Sequence, residues 1–361
     1  RERLRKGEYV LLWGDKSQEF VARDTESYNE QVKINLEGFK KVGHASAKNA
    51  EDKCNRFTNM IGEAFCLEKR TIQALNSRNT KWSTTYAPTK THKKGYEQEP
   101  KLTPVRSIIP GCDTPSEKLQ YLSLHLIECL RDDCAREVDS TEDLLNKLVK
   151  IEGLDRKQHL MFSIDVKNMF PSIPISRVKP LFIDAYIKNK ANLPRVNVAE
   201  LVLAMWELVP LDVIKKYKLE DIKLNKKSGA PANAKGWNKW CKISKSRVEQ
   251  ITDKQVRTMI AVILAEAMDT ALSGSFFMHG DQLYMQGSGL PIGAILSPVL
   301  ASIFMNDYYR RLFAVAKRRK ITAPCEGEFY YYVDDGTGVF RGNLEELNKF
   351  LTILIHLYIN F

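Results

Sequence analysis

The sequence predicts an α+β protein in which a mainly antiparallel sheet is flanked by helices. Two segments of strand character, residues 160–166 and 330–340, are rich in aromatic and β-branched residues and contain the acidic residues of interest. Apolar residues recur at helical spacing in three further stretches, which cover residues 118–131, 256–272 and 299–312. We therefore expect the acids to lie on the sheet, at the ends of its strands.

Residues 330–338 place two adjacent carboxylates, Asp334 and Asp335, at the tip of an aromatic hairpin. Tyrosines and a valine precede the acids, and the Asp335–Gly336 step is expected to supply the turn. Taken alone, an Asp-Asp pair is typical of an acidic surface turn. Since side chains alternate along a strand, we expect one acid to be a direct metal ligand and the other to lie behind it.

A second acid, Asp165, ends the apolar strand-like run of residues 160–166. An acid at that position belongs where a strand leaves the core and enters a cleft. Carboxylates from two chain-distant strands fit a pair of Mg²⁺ ions, because Mg²⁺ binds few carboxylates and shares the rest of its octahedron with water and phosphate. The expected chemistry is two-metal phosphoryl transfer.

Between the two acidic strands lies a loop of glycines and prolines, residues 286–298, followed by the helical pattern of residues 299–312. Glycines allow a backbone to approach a nucleotide or a base pair closely, and the helix that follows has a positive amino-terminal end. Taken alone, this segment is equally typical of a packing turn.

In this order, the three segments resemble motifs A, B and C of reverse transcriptases, with Tyr332-Val333-Asp334-Asp335 as motif C. Residues 162–174 (Phe-Ser-Ile-Asp-Val-Lys-Asn-Met-Phe-Pro-Ser-Ile-Pro) are similar to motif A of Penelope-like retroelements. The spacing around motif B is similar as well, at Tyr284, Gln286, Gly289, Ile292, Gly293, Ser297 and Pro298. Residues 89–93 and 104–109 resemble the fingers motifs of that family more weakly.

The resemblance implies a right-hand polymerase, with a fingers region at residues 1–150 and a palm region at residues 151–361. It implies that Asp165, Asp334 and Asp335 are catalytic. Two Mg²⁺ ions, or Mn²⁺ in their place, would be held by Asp165, Val166 and Asp334. The implied reaction is RNA-directed DNA synthesis, in which dNTPs are transferred to the 3′-hydroxyl of a DNA primer on an RNA template.

Phe170, five positions after Asp165, bears on the choice of sugar. RNA polymerases with a similar palm usually carry an acid there, which accepts a hydrogen bond from the ribose 2′-hydroxyl. A phenyl ring offers bulk and no acceptor, so it would exclude ribonucleotides. The alternative is that Phe170 only fills the core.

The triphosphate needs cationic partners, and Arg106 is the best candidate because a guanidinium binds phosphate oxygens bidentately. Lys90 and Lys93 are expected supports, although the basic run of residues 90–94 is also typical of a solvated face. The resemblance adds Gly293 to the nucleotide-binding residues. It adds three residues that contact nucleic acid: Tyr332, Val333 and Gln286.

The charge of the chain favours a polyanionic partner. With 55 basic and 44 acidic residues, the net charge is +11. Residues 215–247 hold eleven Lys or Arg and two acids, a net charge of +9, and they lie within an expected insertion at residues 207–255. Trp237 and Trp240 in this stretch suit stacking on unpaired bases. A basic surface loop whose tryptophans pack locally is the alternative.

Further elements are expected along the chain. Residues 276–284 predict a hairpin with a Gly280–Asp281 turn. Asn343 and Glu346 resemble a capping box that opens a helix through Leu357. A strand is expected at residues 9–13, and helices are expected at residues 30–41 and 50–68.

The seven cysteines have no metal-ligand spacing and are expected to be reduced thiols. No apolar run reaches membrane-span length and the first residues are not a signal peptide, so we expect an intracellular protein, nuclear or cytoplasmic, without a membrane partner. The later palm motifs and the thumb of the family are absent from this sequence, and we expect further domains or subunits to complete them.

Two alternative functions stay open at this point. An RNA-dependent RNA polymerase is disfavoured by Phe170 and by the sequence context of Ile292. Many reverse transcriptases have glutamine where Ile292 stands, which is a departure of this sequence, although the Penelope-like pattern tolerates an apolar residue there. A non-catalytic nucleic-acid-binding protein that keeps the polymerase fold is disfavoured by the intact acids, because acids without a cation would repel a phosphate backbone.

Overall fold

The computed structural model describes residues 2–16, 19–76, 82–91, 104–106, 108–112, 114–127, 130, 136–153, 159–189, 191–222, 250–325 and 327–359. The strands of this part of the chain are β1 (Tyr9–Trp13), β2 (Phe20–Asp24), β3 (Phe39–Lys41), β4 (Ser83–Thr84), β5 (His159–Asp165), β6 (Phe276–His279), β7 (Gln282–Gln286), β8 (Phe329–Tyr332) and β9 (Asp335–Arg341). Mixed helix and sheet confirm the α+β class.

The helices of the same part fall into an amino-terminal group and a carboxyl-terminal group. The first comprises α1 (Glu2–Arg5), α2 (Thr25–Leu36), α3 (His44–Ala64), α4 (Lys69–Leu75), α5 (Glu117–Ile127) and α6 (Thr141–Val149). The second comprises α7 (Met169–Ser172), α8 (Ile175–Lys188), α9 (Val198–Leu208), α10 (Leu211–Lys216), α11 (Asp253–Ser273), α12 (Ser297–Arg318) and α13 (Leu344–Ile359).

Three sheets organise the described strands. Strands β1 and β2 form an antiparallel ribbon, and β3-β7-β6-β4 form a second sheet in which β4 and β6 run parallel. The third sheet, in the order β5-β9-β8, is antiparallel throughout. It carries Asp165, Asp334 and Asp335 at one end, as the sequence predicts.

One large core supports the third sheet. Helix α11 lies at its centre, packed against α3, α5, α8 and α9, and it is apolar on nearly every side, as expected for a buried helix. A capping box starts this helix: Gln255 N donates to Thr252 Oγ1 at 3.3 Å and Thr252 N donates to Gln255 Oε1 at 3.0 Å. The sheet joins the same core through the rings of Phe162, Phe329 and Phe340.

The turn of the acidic hairpin differs from the prediction. Val333 and Asp334 form it, with Val333 in the left-handed region at φ 52°, and Asp335 and Gly336 already belong to β9. The reason is packing. A Cβ on Gly336 would lie 2.7 Å from the side chain of Ile164, so this glycine allows β9 to lie close against β5.

Other helix boundaries shift for local reasons. Asp24 caps α2 by accepting from Ser27 N at 2.9 Å, so the helix predicted at residues 30–41 begins earlier, and residues 39–41 form a strand instead. The helix predicted at residues 50–68 spans His44–Ala64. The helix predicted at residues 118–131 begins at Glu117, and its expected end lies partly outside the described residues.

Two predictions of local structure are confirmed. The Gly280–Asp281 turn joins β6 to β7, with Gly280 at φ 58°. Asn343 and Glu346 form the expected capping box of α13, since Glu346 N donates to Asn343 Oδ1 at 2.9 Å and Asn343 N donates to Glu346 Oε2 at 3.0 Å. Among the described residues, Cys54, Cys66, Cys112 and Cys325 are free thiols.

The first part of the expected insertion is packed. Val209, Ile214, Leu219 and Ile222 are buried in the main core, and residues 253–255 open α11. Trp237, Trp240 and most of the basic stretch lie outside the described residues, as does Lys93. None of the described helices is both long and apolar enough to cross a membrane.

Candidate active site

The three acids converge where β5 and β9 meet. Asp165 and Asp335 are directly opposite each other as cross-strand partners. Asp334 occupies the adjoining turn, and its carbonyl oxygen accepts a hydrogen bond from Val166 N at 3.1 Å. A hydrogen-bonded ladder thus holds the three carboxylates at one edge, although Asp165 and Asp334 are 169 positions apart in the sequence.

Electrostatic repulsion accompanies this convergence. Partial burial raises the pKa of Asp335, and the charges of Asp334 and Asp165 raise it further. The positive charge of Lys16 acts in the opposite direction on the same carboxyl. A cation that binds among these carboxylates would therefore relieve repulsion that the fold imposes on them.

The acids do not form a closed metal cage. Within the described residues, no group of three His, Cys, Asp or Glu side chains is arranged to hold a metal ion by itself. Carboxylate oxygen is nevertheless the ligand type that Mg²⁺ prefers, and Mg²⁺ usually keeps water and substrate oxygens in its coordination shell. The donor set therefore fits an ion that is shared with a substrate.

Two glycines of the loop before α12 allow backbone segments of the site to lie very close to each other. A Cβ on Gly289, at φ 74°, would lie 2.1 Å from the carbonyl oxygen of Pro171. A Cβ on Gly293, at φ 103°, would lie 2.3 Å from the carbonyl oxygen of Ile109. Neither distance is compatible with a side chain, so both positions require glycine.

Hydrogen bonds reinforce these approaches. Leu290 N donates to Phe170 O at 2.8 Å, and Ile109 N donates to Ile292 O at 3.0 Å. The loop thereby joins the segment that follows Asp165 to the segment that contains Arg106. The atom that a side chain on Gly293 would meet belongs to the backbone of Ile109. The contact that the structure shows for Gly293 is therefore a packing contact between two backbone segments.

A cavity of about 290 Å³ opens beside this junction. Arg106 lines it and is held by an ion pair from its Nε to Asp15 Oδ2 at 3.2 Å. The other polar residues of the wall are Asn35, Lys90, Asn168, Gln286 and Ser288, and Pro171 also lines it. Cationic and amide groups therefore face one volume, which suits an anionic ligand.

Phe170 contacts the main core. Its ring is half-buried and packs against the main core, while Asn168 and Pro171 on either side of it line the cavity. The core-filling alternative for Phe170 therefore has structural support.

A larger cavity of about 760 Å³ lies beside the acids, between the open face of the third sheet and α6. Asp165 and Asp335 border it, together with Ser163, Thr337 and the exposed ring of Tyr332. Val333 lies outside this volume and lines a neighbouring cavity of about 430 Å³ against α12.

Three site residues escaped the sequence interpretation: Asp15, Lys16 and Asn168. Asn168 has φ 53°, which is rare outside glycine, and its position three residues after Asp165 was a usable signal. Asp15 reaches the site through its contacts with Thr89 and Arg106, which are far away in the sequence, and Lys16 acts on Asp335 through its charge.

Comparisons with known proteins identify the fold. No protein-family model matches the chain, and no curated protein matches it. The chain is similar to the solved structure of telomerase from Candida albicans in complex with a TWJ fragment of telomeric RNA. The alignment covers 98% of this chain and 48% of the telomerase chain, with 11% sequence identity and a TM-score of 0.51.

A telomerase from Candida tropicalis, also in complex with a TWJ fragment, covers 97% of this chain and 45% of its own, at 12% identity and a TM-score of 0.46. Telomerase is a reverse transcriptase, so the chain has a reverse-transcriptase-like fold. This chain spans about half the length of these structures. The narrower likeness to Penelope-like elements stays a prediction.

Proposed function

We propose that the chain is an RNA-directed DNA polymerase that adds dNTPs to the 3′-hydroxyl of a primer. The observation that carries this proposal is the convergence of Asp165, Asp334 and Asp335 at one end of an antiparallel sheet, in a chain with a reverse-transcriptase-like fold. The third sheet would be the palm, and the amino-terminal part would be the fingers. A Penelope-like retroelement is the proposed origin.

Two Mg²⁺ ions are the proposed cofactors, with Mn²⁺ as the alternative. The carboxylates of Asp165 and Asp334 and the main chain of Val166 would hold them, with Asp335 behind. Carboxylate oxygen is the ligand type that Mg²⁺ prefers, and Mg²⁺ usually shares its coordination shell with water and substrate oxygens. When bound, the ions would activate the primer hydroxyl and stabilise the charge on the phosphates.

The cavity beside Arg106 is the proposed site of the incoming dNTP. Arg106 and Lys90 would bind the phosphates, and Lys93 would support them from outside the described residues. Gly293 is proposed to contribute to this site through the loop backbone, whose close contact with Ile109 its missing side chain permits. The ion pair with Asp15 orients the guanidinium before substrate arrives, which reduces the cost of ordering it.

The cavity of about 760 Å³ is the proposed site of the primer end. Its position beside Asp165 and Asp335 brings a bound 3′-hydroxyl next to the acids. Tyr332, with its exposed ring, and Val333 would contact the primer, and Gln286 would contact the template side. Trp237, Trp240 and the basic stretch are proposed to hold RNA or DNA further away.

The proposed reaction is a single displacement at phosphorus. The 3′-oxygen of the primer forms a bond to the α-phosphorus, and the bond from that phosphorus to the bridging oxygen breaks. Pyrophosphate leaves with the electron pair, and the hydroxyl proton passes to water. The side chains contribute by positioning and by electrostatic stabilisation, which dominate catalysis of phosphoryl transfer.

An RNA-dependent RNA polymerase is the second candidate, and one observation favours it. Phe170 packs on the core and is absent from the wall of the nucleotide cavity, which weakens the steric argument against a ribose.

Primer extension on an RNA template, with dNTPs and rNTPs in parallel reactions, tests both candidates. Extension with dNTPs alone supports the proposal. Extension with rNTPs at an equal or greater rate replaces it with an RNA polymerase. Tight binding of template and primer without any extension replaces it with a binding protein.

A further inference from the structure

The loop before α12 is held from behind by a side chain of α5. Gln120 is fully buried, and its Oε1 accepts hydrogen bonds from Ile295 N at 2.8 Å and from Leu296 N at 3.4 Å. These residues lie 175 and 176 positions beyond Gln120 in the sequence. The contact therefore joins the loop to a helix that packs against α3 and α11 in the main core.

This side chain supplies an acceptor that the cap residue of α12 lacks. Leu296 occupies the amino-terminal cap of α12, and its apolar side chain accepts no hydrogen bond. Leu296 is itself buried, and a buried amide without a partner destabilises the fold, so its amide depends on an acceptor from another element. Without the Gln120 oxygen, the loop would have to move until its amides reached water.

A second line of contacts runs from Gln120 back to the same loop. Gln120 Nε2 donates to Ser116 Oγ at 3.0 Å, and Ser116 Oγ lies 3.3 Å from Thr114 Oγ1. Thr114 Oγ1 donates to the carbonyl oxygen of Gly111 at 2.9 Å. A Cβ on Gly111 would lie 2.7 Å from the carbonyl oxygen of Gly293, so these two backbone segments lie in close contact. The loop is thus fixed at two points by one buried polar network.

The fixed loop also forms part of the wall of the cavity beside Arg106. Ile292 lines this cavity, whereas Gln120 is not among the described residues of its wall. Ile292 lies three positions before Ile295, and its carbonyl oxygen accepts a hydrogen bond from Ile109 N at 3.0 Å. The position of this part of the wall is therefore set by contacts that lie outside the cavity.

We propose that Gln120 is a positioning residue, which fixes the loop where the cavity can bind the incoming dNTP. This inference rests on the proposed function and adds a residue outside the three motifs and the fingers segments. Gln120 acts through the backbone of the loop, from behind the cavity wall. A loop that shifts would weaken contacts with the nucleotide in the ground state and in the transition state alike, so that KM rises while kcat is retained.

The test compares two variants of Gln120 with a control in the same helix. Gln120→Met keeps an unbranched side chain and removes both hydrogen-bonding atoms. Gln120→Glu keeps an acceptor for the two amides and loses the donor to Ser116. Ser123→Ala removes a hydroxyl that is buried in α5 and has no hydrogen-bond partner among the described residues.

Four measurements are made on each variant. Hydrogen–deuterium exchange reports on the amides of residues 295 and 296, and thermal unfolding reports on stability. Calorimetric binding of a dNTP in Mg²⁺, to the complex with a template and a primer that ends in a dideoxynucleotide, reports on the cavity without chemistry. Primer extension gives the KM for dNTP and the kcat.

We expect Gln120→Met to speed the exchange of both amides, to weaken dNTP binding and to raise the KM, the last two by about tenfold each, as for lost hydrogen bonds. The kcat should change by less than about twofold. Gln120→Glu should recover most of the dNTP binding even where its melting temperature is lowered, and Ser123→Ala should bind dNTP as wild type does.

Three outcomes would overturn one or both parts of this account. Faster exchange in Gln120→Met with unchanged dNTP binding and KM would overturn the positioning role and leave the proposed function standing. Gln120-dependent dNTP binding by a wild-type chain that extends no primer would overturn the proposed function and leave the positioning role standing. A wild-type chain that binds no dNTP would overturn both.

Discussion

Two hairpins border the candidate active site, and they are anchored in opposite ways. In hairpin β8–β9, which carries the acids, Phe329, Tyr331 and Phe340 are each at most 1% exposed. In hairpin β1–β2, which carries Lys16, the rings of Trp13 and Phe20 pack on each other at 4.4 Å and are 52% and 67% exposed. One hairpin is part of the core, and the other lies on the surface.

This difference separates two ways of building a site. Burial of a large apolar side chain stabilises the fold by about 1.5–3 kcal/mol, so the core fixes the acids firmly even though they repel one another. The tip of hairpin β1–β2 depends instead on the polar contacts of Asp15 with Thr89 and Arg106. The acids are placed by packing, whereas the cations are placed by contacts that an anionic substrate would strengthen.

Removal of an acid should have the largest effect. Asp165→Asn or Asp334→Asn should reduce primer extension by about 10³-fold, the upper range for loss of one transition-state contact, with little change in template binding. Single-turnover extension and an RNA-binding assay measure the two quantities. Asp281→Asn, in the turn between β6 and β7, is the matched control and should extend normally. Normal extension by Asp334→Asn would show that the acids take no part in catalysis.

Matched phenylalanines test the anchoring directly. Phe340→Ala should lower the free energy of unfolding by about 3–5 kcal/mol, because it leaves a cavity in the core. Phe20→Ala, on the exposed hairpin, should lower it by less than about 1 kcal/mol. Urea unfolding measures both values. Equal losses at the two positions would mean that the hairpins are anchored alike.

Phe170 decides between sugar selection and core filling. If the ring opposes the 2′-hydroxyl, Phe170→Val should reduce the preference for dNTPs over rNTPs by about tenfold, which corresponds to about 1.4 kcal/mol. Competitive extension with both nucleotides measures this ratio. An unchanged ratio together with a lower melting temperature would assign Phe170 to the core alone.

Each hairpin has an ion pair at its open end, and these two pairs should show the smallest difference in their effect on the free energy of unfolding. Glu328, before β8, pairs with Arg341 at the end of β9, and Glu8, before β1, pairs with Arg3 at 3.3 Å. Burial of Glu328 acts to raise the pKa of its carboxyl, but hydrogen bonds from Arg341 and Cys325 outweigh it and the pKa is lowered.

The sign of the pH effect follows. A lowered pKa in the folded state means that the Glu328 pair stabilises the protein above the unfolded value of 4.5, and that this contribution is lost as the pH falls through the folded pKa. Glu328→Gln should therefore cost roughly 1 kcal/mol at pH 7 and nothing below the folded pKa. Glu8→Gln, in an exposed pair, should cost nearly nothing at pH 7. Urea unfolding across this pH range distinguishes the two.

Much of the acidic site was predictable because its determinants are local. Strand periodicity placed Asp165 at the end of β5, and the aromatic run placed Asp334 and Asp335 at a turn. The sequence predicts the turn too late in the chain, at Asp335–Gly336, because an aspartate followed by glycine is typical of a turn. In the structure, Gly336 instead allows close contact with Ile164. That contact joins two strands that are far apart in the sequence, so no local pattern reports it.

The cationic side could be predicted only in part. Arg106 stood out by chemistry, and it does line the cavity. The role of Asp15 depends on contacts with Thr89 and Arg106, which lie 74 and 91 positions beyond it in the sequence. Such contacts follow from tertiary packing and leave no periodic trace in the sequence.

The central claim is that this chain performs template-directed DNA synthesis at Asp165 and Asp334. Single-nucleotide addition on an RNA template of known sequence, with each dNTP supplied alone, tests it most directly. The account predicts that wild type adds only the complementary dNTP in Mg²⁺ and that Asp334→Asn adds none. Addition without regard to the template base, or equal addition by Asp334→Asn, would contradict it.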